Sequence, residues 1–405
     1  MKSSAFAIAS LSCLVLSGAT ATAAWLCPFC DAPSLSMAEQ LQMSDHVLLG
    51  KWLGGDKPTE TKAGSSQFRI VQVSKSVGQR FAVGQTIELP QYIAGDKAAL
   101  YSLMGPDAQL LDWQVPTQIS QSGWDYLSQI PAPVTDPEAQ TERLAFAIEF
   151  LEHPDLMISN DAYAEFAAAP YEVITPLKDR LPREKLRQWL MDPKTSATRI
   201  GLYGLLLGLC GTDDDAAAME QKIVVPDTDF RLGIEGVMSG YLLIRGEAGL
   251  KVLEDTKMLS KTCRNPEGEE IKLPFSETYA SMQALRFMWT YEPDRLPKDR
   301  LKQSMRLLLP RVEMTDLVIA DLARWKDWDV QDQLMEMYDD PKFNIPAIKR
   351  AIVKFLYYCS QDKPAVADGQ DPVNPPHAVK AAAHLAELEK KDPKTVSDAK
   401  RYLIR

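Results

Sequence analysis

Cys27-Pro28-Phe29-Cys30 is the sharpest chemical feature of the chain. Two cysteines at this spacing suit a disulfide, a thiol-exchange pair or half of a metal site. A thioredoxin-type reading makes Cys27 the low-pKa nucleophile and Cys30 the resolving thiol, but it requires a strand before the pair and a helix starting at it. Haem attachment requires a histidine after the second cysteine, and Asp31 stands there. A structural zinc site takes four ligands, whereas Cys210, Cys263 and Cys359 are single and dispersed. A structural disulfide is therefore the favoured reading. An exchange-active pair, a metal site and a tether to a partner are the alternatives. Cys210 continues the apolar face of Ile200, Tyr203 and Leu207, and Cys359 ends another such face, so both are expected to be buried as small hydrophobes. Cys263 lies in an irregular stretch and is the thiol expected at the surface.

The remaining reactive residues are sparse. His46, His153, His377 and His384 are the four histidines, and only His377 and His384, two helical turns apart, could align. An exposed polar face explains them more simply than a metal. No nucleophile elbow, P-loop, His-Glu-x-x-His or dinucleotide glycine fingerprint is present, so no cofactor is expected. Asp213-Asp214-Asp215 suits the first turn of a helix better than a calcium loop. Asp321, Arg324, Trp325, Asp327 and Trp328 are the candidate partner-binding residues. Trp and Arg are enriched at binding hot spots, and this segment falls at a predicted turn between two helices. The alternative is packing of Trp325 between repeats, with Arg324 paired to an acid.

The compartment decides how the cysteine pair is read. Met1-Lys2 is followed by the apolar run Ala5–Leu16 and then by Ala21-Thr22-Ala23, the n-region, h-region and cleavage pattern of a secretory signal peptide over residues 1–23. The run is shorter than the roughly 20 residues of a membrane-spanning helix. The mature protein is thus expected in a periplasm or outside the cell, with no membrane span after cleavage. Only Ala24, Trp25 and Leu26 would precede Cys27, too little for a thioredoxin strand. Without Cys13 of the signal, an odd number of the six cysteines is left, so at least one stays unpaired or pairs between chains.

Composition narrows the partners. The 405 residues carry 45 Lys and Arg against 55 Asp and Glu, a formal charge of −10, with 45% hydrophobic and 25% charged residues. That is ordinary globular composition. An acidic chain without a dense basic cluster is a poor ligand for nucleic acid or anionic membranes, which leaves a protein or glycan partner.

These residues must be positioned by two kinds of element, and the expected class is α+β. Residues 24–131 read as a small β domain. Met37 to Met43 makes a short helix. Val47-Leu48-Leu49, Phe68 to Val73, Thr86 to Leu89, Leu100 to Met104 and Leu110 to Trp113 read as strands, and Gly78 and Gly84 bracket a hairpin. Five short strands suit a small closed or partly open barrel. Residues 132–141, within Pro131 to Thr141, read as a linker. Over 142–405 the apolar period becomes helical. Leu144, Ile148 and Leu151 form one stripe, and Phe230, Ile234, Val237, Met238 and Tyr241 form another. Val318, Leu322 and Trp325, then Val330, Leu334, Met337 and Tyr338, then Ile348, Ile352, Phe355, Leu356 and Cys359 follow. First helices near residues 196, 229, 276, 313 and 345 recur at the spacing of HEAT-like pairs, interrupted near Thr262 to Leu273 and Ser360 to Pro376. Gly204 and Gly208, extended by Gly201 and Gly211, imply two closely packed helices.

Two resemblances accompany this reading. "HVLLGKW", "QFRIVQVSKSVGQRFAVGQTIEL" and "LYSLMG" resemble the netrin-like, oligosaccharide-binding-type barrel over about a quarter of the chain. The protease-inhibitory activity of that superfamily is not carried over, because it uses a cysteine at the very amino terminus and Cys27 would sit inside it. "CPFC", "SNDAYAEFAAAPYE" at 159–172, "GLYGLLLGLCG" at 201–211 and "VIADLARWKDW" at 318–328 resemble signatures of a family of exported bacterial proteins with no assigned activity. That resemblance implies a layout and a compartment. The function expected is an exported, non-enzymatic interaction protein; the competing class is an envelope thiol-disulfide protein using Cys27 and Cys30.

Overall fold

The computed structural model describes residues 35–61, 63–226, 230–363 and 374–401. The stretch read as a signal peptide, Cys27 and Cys30 lie outside the described residues, as does part of the second interruption.

Helix α1 (Met37–Met43) opens on a capping box between Ser36 and Glu39. Strand β1 (His46–Asp56) follows with three consecutive large apolar residues. Alternate strand residues face opposite sides, so such a run fits a strand buried on both. Leu48 packs with Phe68, Ile70, Leu103 and Trp113 on one face, and Val47 and Leu49 pack with Met104, Trp124 and Leu127 on the other. With β2 (Ser65–Ser76), β3 (Thr86–Leu89), β4 (Leu100–Gly105) and β5 (Thr117–Ile119), β1 forms an antiparallel sheet in the order β3-β2-β1-β4-β5. The sheet is an open row with β3 and β5 at its edges.

The strand expected at Leu110 to Trp113 is instead a 3-10 turn at Leu110–Asp112. The turn lays Trp113 across the sheet, where its Nε1 donates to the Pro106 carbonyl at 3.0 Å and where a Cβ on Gly105 would collide with the ring. The outermost strand comes later, at β5, and leads into α2 (Gln121–Leu127). Helix α3 (Pro137–Ile148) begins inside the stretch read as linker: Asp136 caps the Ala139 N–H at 2.9 Å and Pro137 occupies the first turn. Proline there marks a helix start, because its missing N–H has no partner to lose.

The rest is helical: α4 (Leu156–Ala167), α5 (Tyr171–Ile174), α6 (Arg183–Met191), α7 (Ala197–Cys210), α8 (Asp213–Val224) and α9 (Ile234–Leu253). Phe230 lies ahead of α9 and is 68% exposed, so the stripe expected from Phe230 begins only at Ile234. Helices α7 and α9 approach closely because glycines face each other. A Cβ on Gly204 would sit 2.6 Å from the Val237 backbone, and one on Gly236 2.6 Å from the Gly201 Cα. Helix α9 kinks at Gly246 (φ 54°, ψ −129°), and Arg295 donates to the Leu243 and Ile244 carbonyls at 2.8 and 2.7 Å across the kink. The first interruption is a hairpin of β6 (Thr262–Arg264) and β7 (Glu270–Lys272). Then come α10 (Phe275–Tyr291), α11 (Lys298–Arg306), α12 (Thr315–Arg324), α13 (Gln331–Asp339), α14 (Pro346–Ser360), α15 (Pro376–Lys391) and α16 (Pro393–Arg401). One continuous core runs from Leu144 to Ala399. The architecture is α+β.

Sheet and helices are joined by a buried carboxylate. Asp161 of α4 accepts the Met37 N–H of α1 at 2.6 Å and the Tyr126 hydroxyl of α2 at 2.9 Å. Ser120 donates to Asp155 nearby at 2.5 Å.

Candidate functional site

Helices α12 and α14 each bury one face and leave a second between them. On α14 the buried stripe is Ile348, Ile352, Phe355, Leu356 and Cys359. The flanking positions Ala347, Arg350, Ala351, Lys354 and Tyr358 repeat at helical spacing and line a groove. From α12 the groove receives Asp316, Leu317, Ala320, Ala323 and Arg324, and Trp328 closes one end. Its volume is about 760 Å³. Alanines at 320, 323, 347 and 351 help keep it open, since a long side chain at any of them would project into it.

The five residues singled out from the sequence divide around this groove. Arg324, whose side chain is 71% exposed, and Trp328 line it. Asp321 is 1% exposed and accepts from Arg286 at 2.6 Å and from Arg324 at 2.9 Å, so it anchors Arg324 from beneath. Asp327, also 1% exposed, is held by Arg306 Nε at 2.7 Å. Trp325 stacks on Trp289 of α10 with ring centroids 4.4 Å apart and belongs to the core. Asp321, Trp325 and Asp327 are therefore buried, with Trp325 packed on Trp289 and Arg324 paired to Asp321. The Asp327 N–H donates back to the Leu322 carbonyl at 2.9 Å, and Lys326 takes a positive φ of 52°. This tight turn rotates Trp325 inward and Lys326 outward.

Asp362 organises the closed end. It accepts from Lys326 at 2.6 Å, from the Trp328 indole at 2.8 Å and from His377 at 3.0 Å. Burial alone would raise its pKa, but these three donors outweigh it and hold the carboxyl below its ordinary value. Trp328 also meets Phe355 edge-on at 5.2 Å and stacks on His377 at 6.2 Å. The aromatic wall is thus fixed before any partner arrives.

The α14 half of the groove was missed in the sequence. The signal was available: Arg350, Lys354 and Tyr358 are four residues apart, on the edge of the stripe that was read.

The three thiols among the described residues are quiet. Burial pushes Cys210 up to about 11 and Cys359 up to about 12, and raises Cys263 as well; none is a thiolate at neutral pH. Cys359 is buried, and Cys210 and Cys263 are half-buried. His377 faces Asp362, and His384 stands 3.6 Å from Asp332, so the two histidines serve separate acids. Asp215 lies in the first turn of α8, where it accepts from the Thr212 N–H at 2.8 Å and from Arg183 at 2.6 Å. Among the described residues no group of three or more His, Cys, Asp or Glu could hold a metal ion, and no helix is long and apolar enough to cross a membrane. Comparison with protein-family models, curated proteins and solved structures gives no match.

Proposed function

We propose that this is an exported, non-enzymatic interaction protein that docks a protein partner in the groove between α12 and α14. The observation that carries the reading is the groove itself: about 760 Å³ bounded by two helix faces, floored by alanines and walled by a fixed Trp–Phe pair. Grooves of this kind receive an amphipathic helix or an extended segment of a partner. A protein suits it better than a glycan. Sugar hydroxyls need acceptors and planar amides, and the groove offers Asp316, Gln361 and an Asp362 already occupied by three donors.

Several finer assignments belong to the same proposal. The five-stranded unit is read as a partly open netrin-like barrel and the helix pairs as HEAT-like repeats. The strand order and the recurrence of first helices at Ala197, Ile234, Phe275, Thr315 and Pro346 support this. Export rests on the signal-peptide pattern of residues 1–23, and kinship with the exported bacterial family rests on the "CPFC" and "VIADLARWKDW" motifs. Photo-crosslinking from Tyr358, inside the groove, tests the docking reading.

A further inference from the structure

The groove carries charge of the opposite sign to the chain. Arg324, Lys326, Arg350 and Lys354 line it against Asp316 and Asp362, a surplus of two cations on a protein whose formal charge is −10; Lys326 is paired with Asp362, and Arg324 with the buried Asp321 beneath it. The rest of the lining is mostly apolar, with alanines at 320, 323, 347 and 351 beside Leu317 and Phe355. Apolar surface interleaved with cations is complementary to a segment with an apolar stripe flanked by acids. The lining of α14 from Ala347 to Tyr358 spans roughly 16 Å at the helical rise, about three turns of an occupant helix. Resting on the docking reading above, we propose that the occupant is an acidic amphipathic helix of a partner protein, with its apolar face on Ala320 and Ala351 and its carboxylates toward Arg350, Lys354 and Arg324. The acidic remainder of the surface would repel such a segment elsewhere, so the charge pattern selects the site as well as the partner.

The experiment uses the full mature chain and three fluorescent probes at low salt. One is a helical peptide with leucines at i, i+3, i+4 and i+7 and glutamates on its flanks. The second is the same peptide with lysines for glutamates, and the third is chondroitin sulfate. The acidic peptide should bind at least tenfold tighter than the basic one, and should weaken as salt rises. The Arg350→Glu/Lys354→Glu double variant should lose at least tenfold for the acidic peptide and gain for the basic one; because both sites are partly exposed on one helix, a matched thermal midpoint checks that it is folded. Ala351→Trp, which fills the floor, should abolish both. Equal binding of the two peptides, no binding of the acidic peptide, binding untouched by the charge reversal, or binding of the polysaccharide alone would each overturn the proposal. A partner crosslinked from Tyr358 that binds alongside any of those results leaves the docking reading standing and removes only the acidic helix.

Discussion

Among the described residues, Glu277 is a fully buried carboxylate that meets two cations. Lys257 and Glu277 are both fully buried 2.7 Å apart, and Arg231 contacts the same carboxylate at 2.6 and 2.8 Å. Burial would raise the Glu277 pKa, but the Arg231 hydrogen bond and the Lys257 charge outweigh it and hold it down. Lys257 lies in a π-helical turn following α9, and Thr278 of α10 donates to its carbonyl at 2.9 Å. The triad thus ties two helices together. Removing one member of a buried ion pair leaves the other charge uncompensated, typically about 3–5 kcal/mol. Glu277→Ala should therefore cost a loss of that order in urea unfolding. Lys257→Met should cost less, because Glu277 keeps Arg231. Equal effects would show that Arg231 does not satisfy the carboxylate. At this scale residue type alone singled out Arg324 and Trp328, and both line the groove. The sequence was silent where a turn decides. Trp325 and Trp328 look alike in the chain, and the turn at Lys326, with its positive φ, separates a Trp325 inside the core from a half-buried Trp328 that also lines the groove.

Among the helices, α7 and α9 are held at close range by facing glycines. Gly204 faces the Val237 backbone with no room for a methyl group. Overpacking of this kind costs about 1–3 kcal/mol. Gly204→Ala should lower the unfolding midpoint accordingly, whereas Gly54→Ala, with nothing within 4 Å of the added atom, should leave it within about 0.5 kcal/mol. Similar losses at both positions would mean that the Gly204–Val237 contact does not govern the effect, because alanine in place of glycine by itself favours a helix. The glycine spacing that foretold this packing is a periodic signal, as are the buried stripes of α12, α13 and α14. Elements with such periods were legible. The errors fall where period is absent. Leu110 to Trp113 has strand-like composition but forms one turn beneath a tryptophan, and α2 is too short to show a period. The α14 side of the groove was overlooked for a different reason: attention to a helix's buried stripe hides the flanking positions that a neighbouring helix leaves uncovered.

For the whole molecule, the link between sheet and helices is sensitive to pH. Asp161 is 6% exposed, and burial, aided by Glu165, raises its pKa from 3.8 to about 6; the Met37 N–H, the Tyr126 hydroxyl and Arg143 oppose this. Because the folded state holds this proton more tightly than the unfolded chain, the contribution is fully present below pH 3.8 and is lost as pH rises through about 6. Asp161→Asn cannot ionise. Its stability relative to the parent should improve between pH 4 and pH 7 by on the order of 2–3 kcal/mol, read as the difference between the two thermal unfolding curves. A difference independent of pH would remove Asp161 from the linkage.

The groove is the feature that joins these scales. Trp328 and Arg324 are set by a turn, the walls by two helices, and the charge contrast by the whole surface. The most direct measurement places a photo-crosslinking amino acid at Tyr358, which is 50% exposed in the groove, and at Leu156, which is 72% exposed and outside it. Both variants are irradiated in the native envelope fraction. Docking in the groove predicts a discrete crosslinked protein from position 358, lost in Ala351→Trp, and none from position 156. Adducts of equal yield from both positions, or no adduct from 358, would contradict the account.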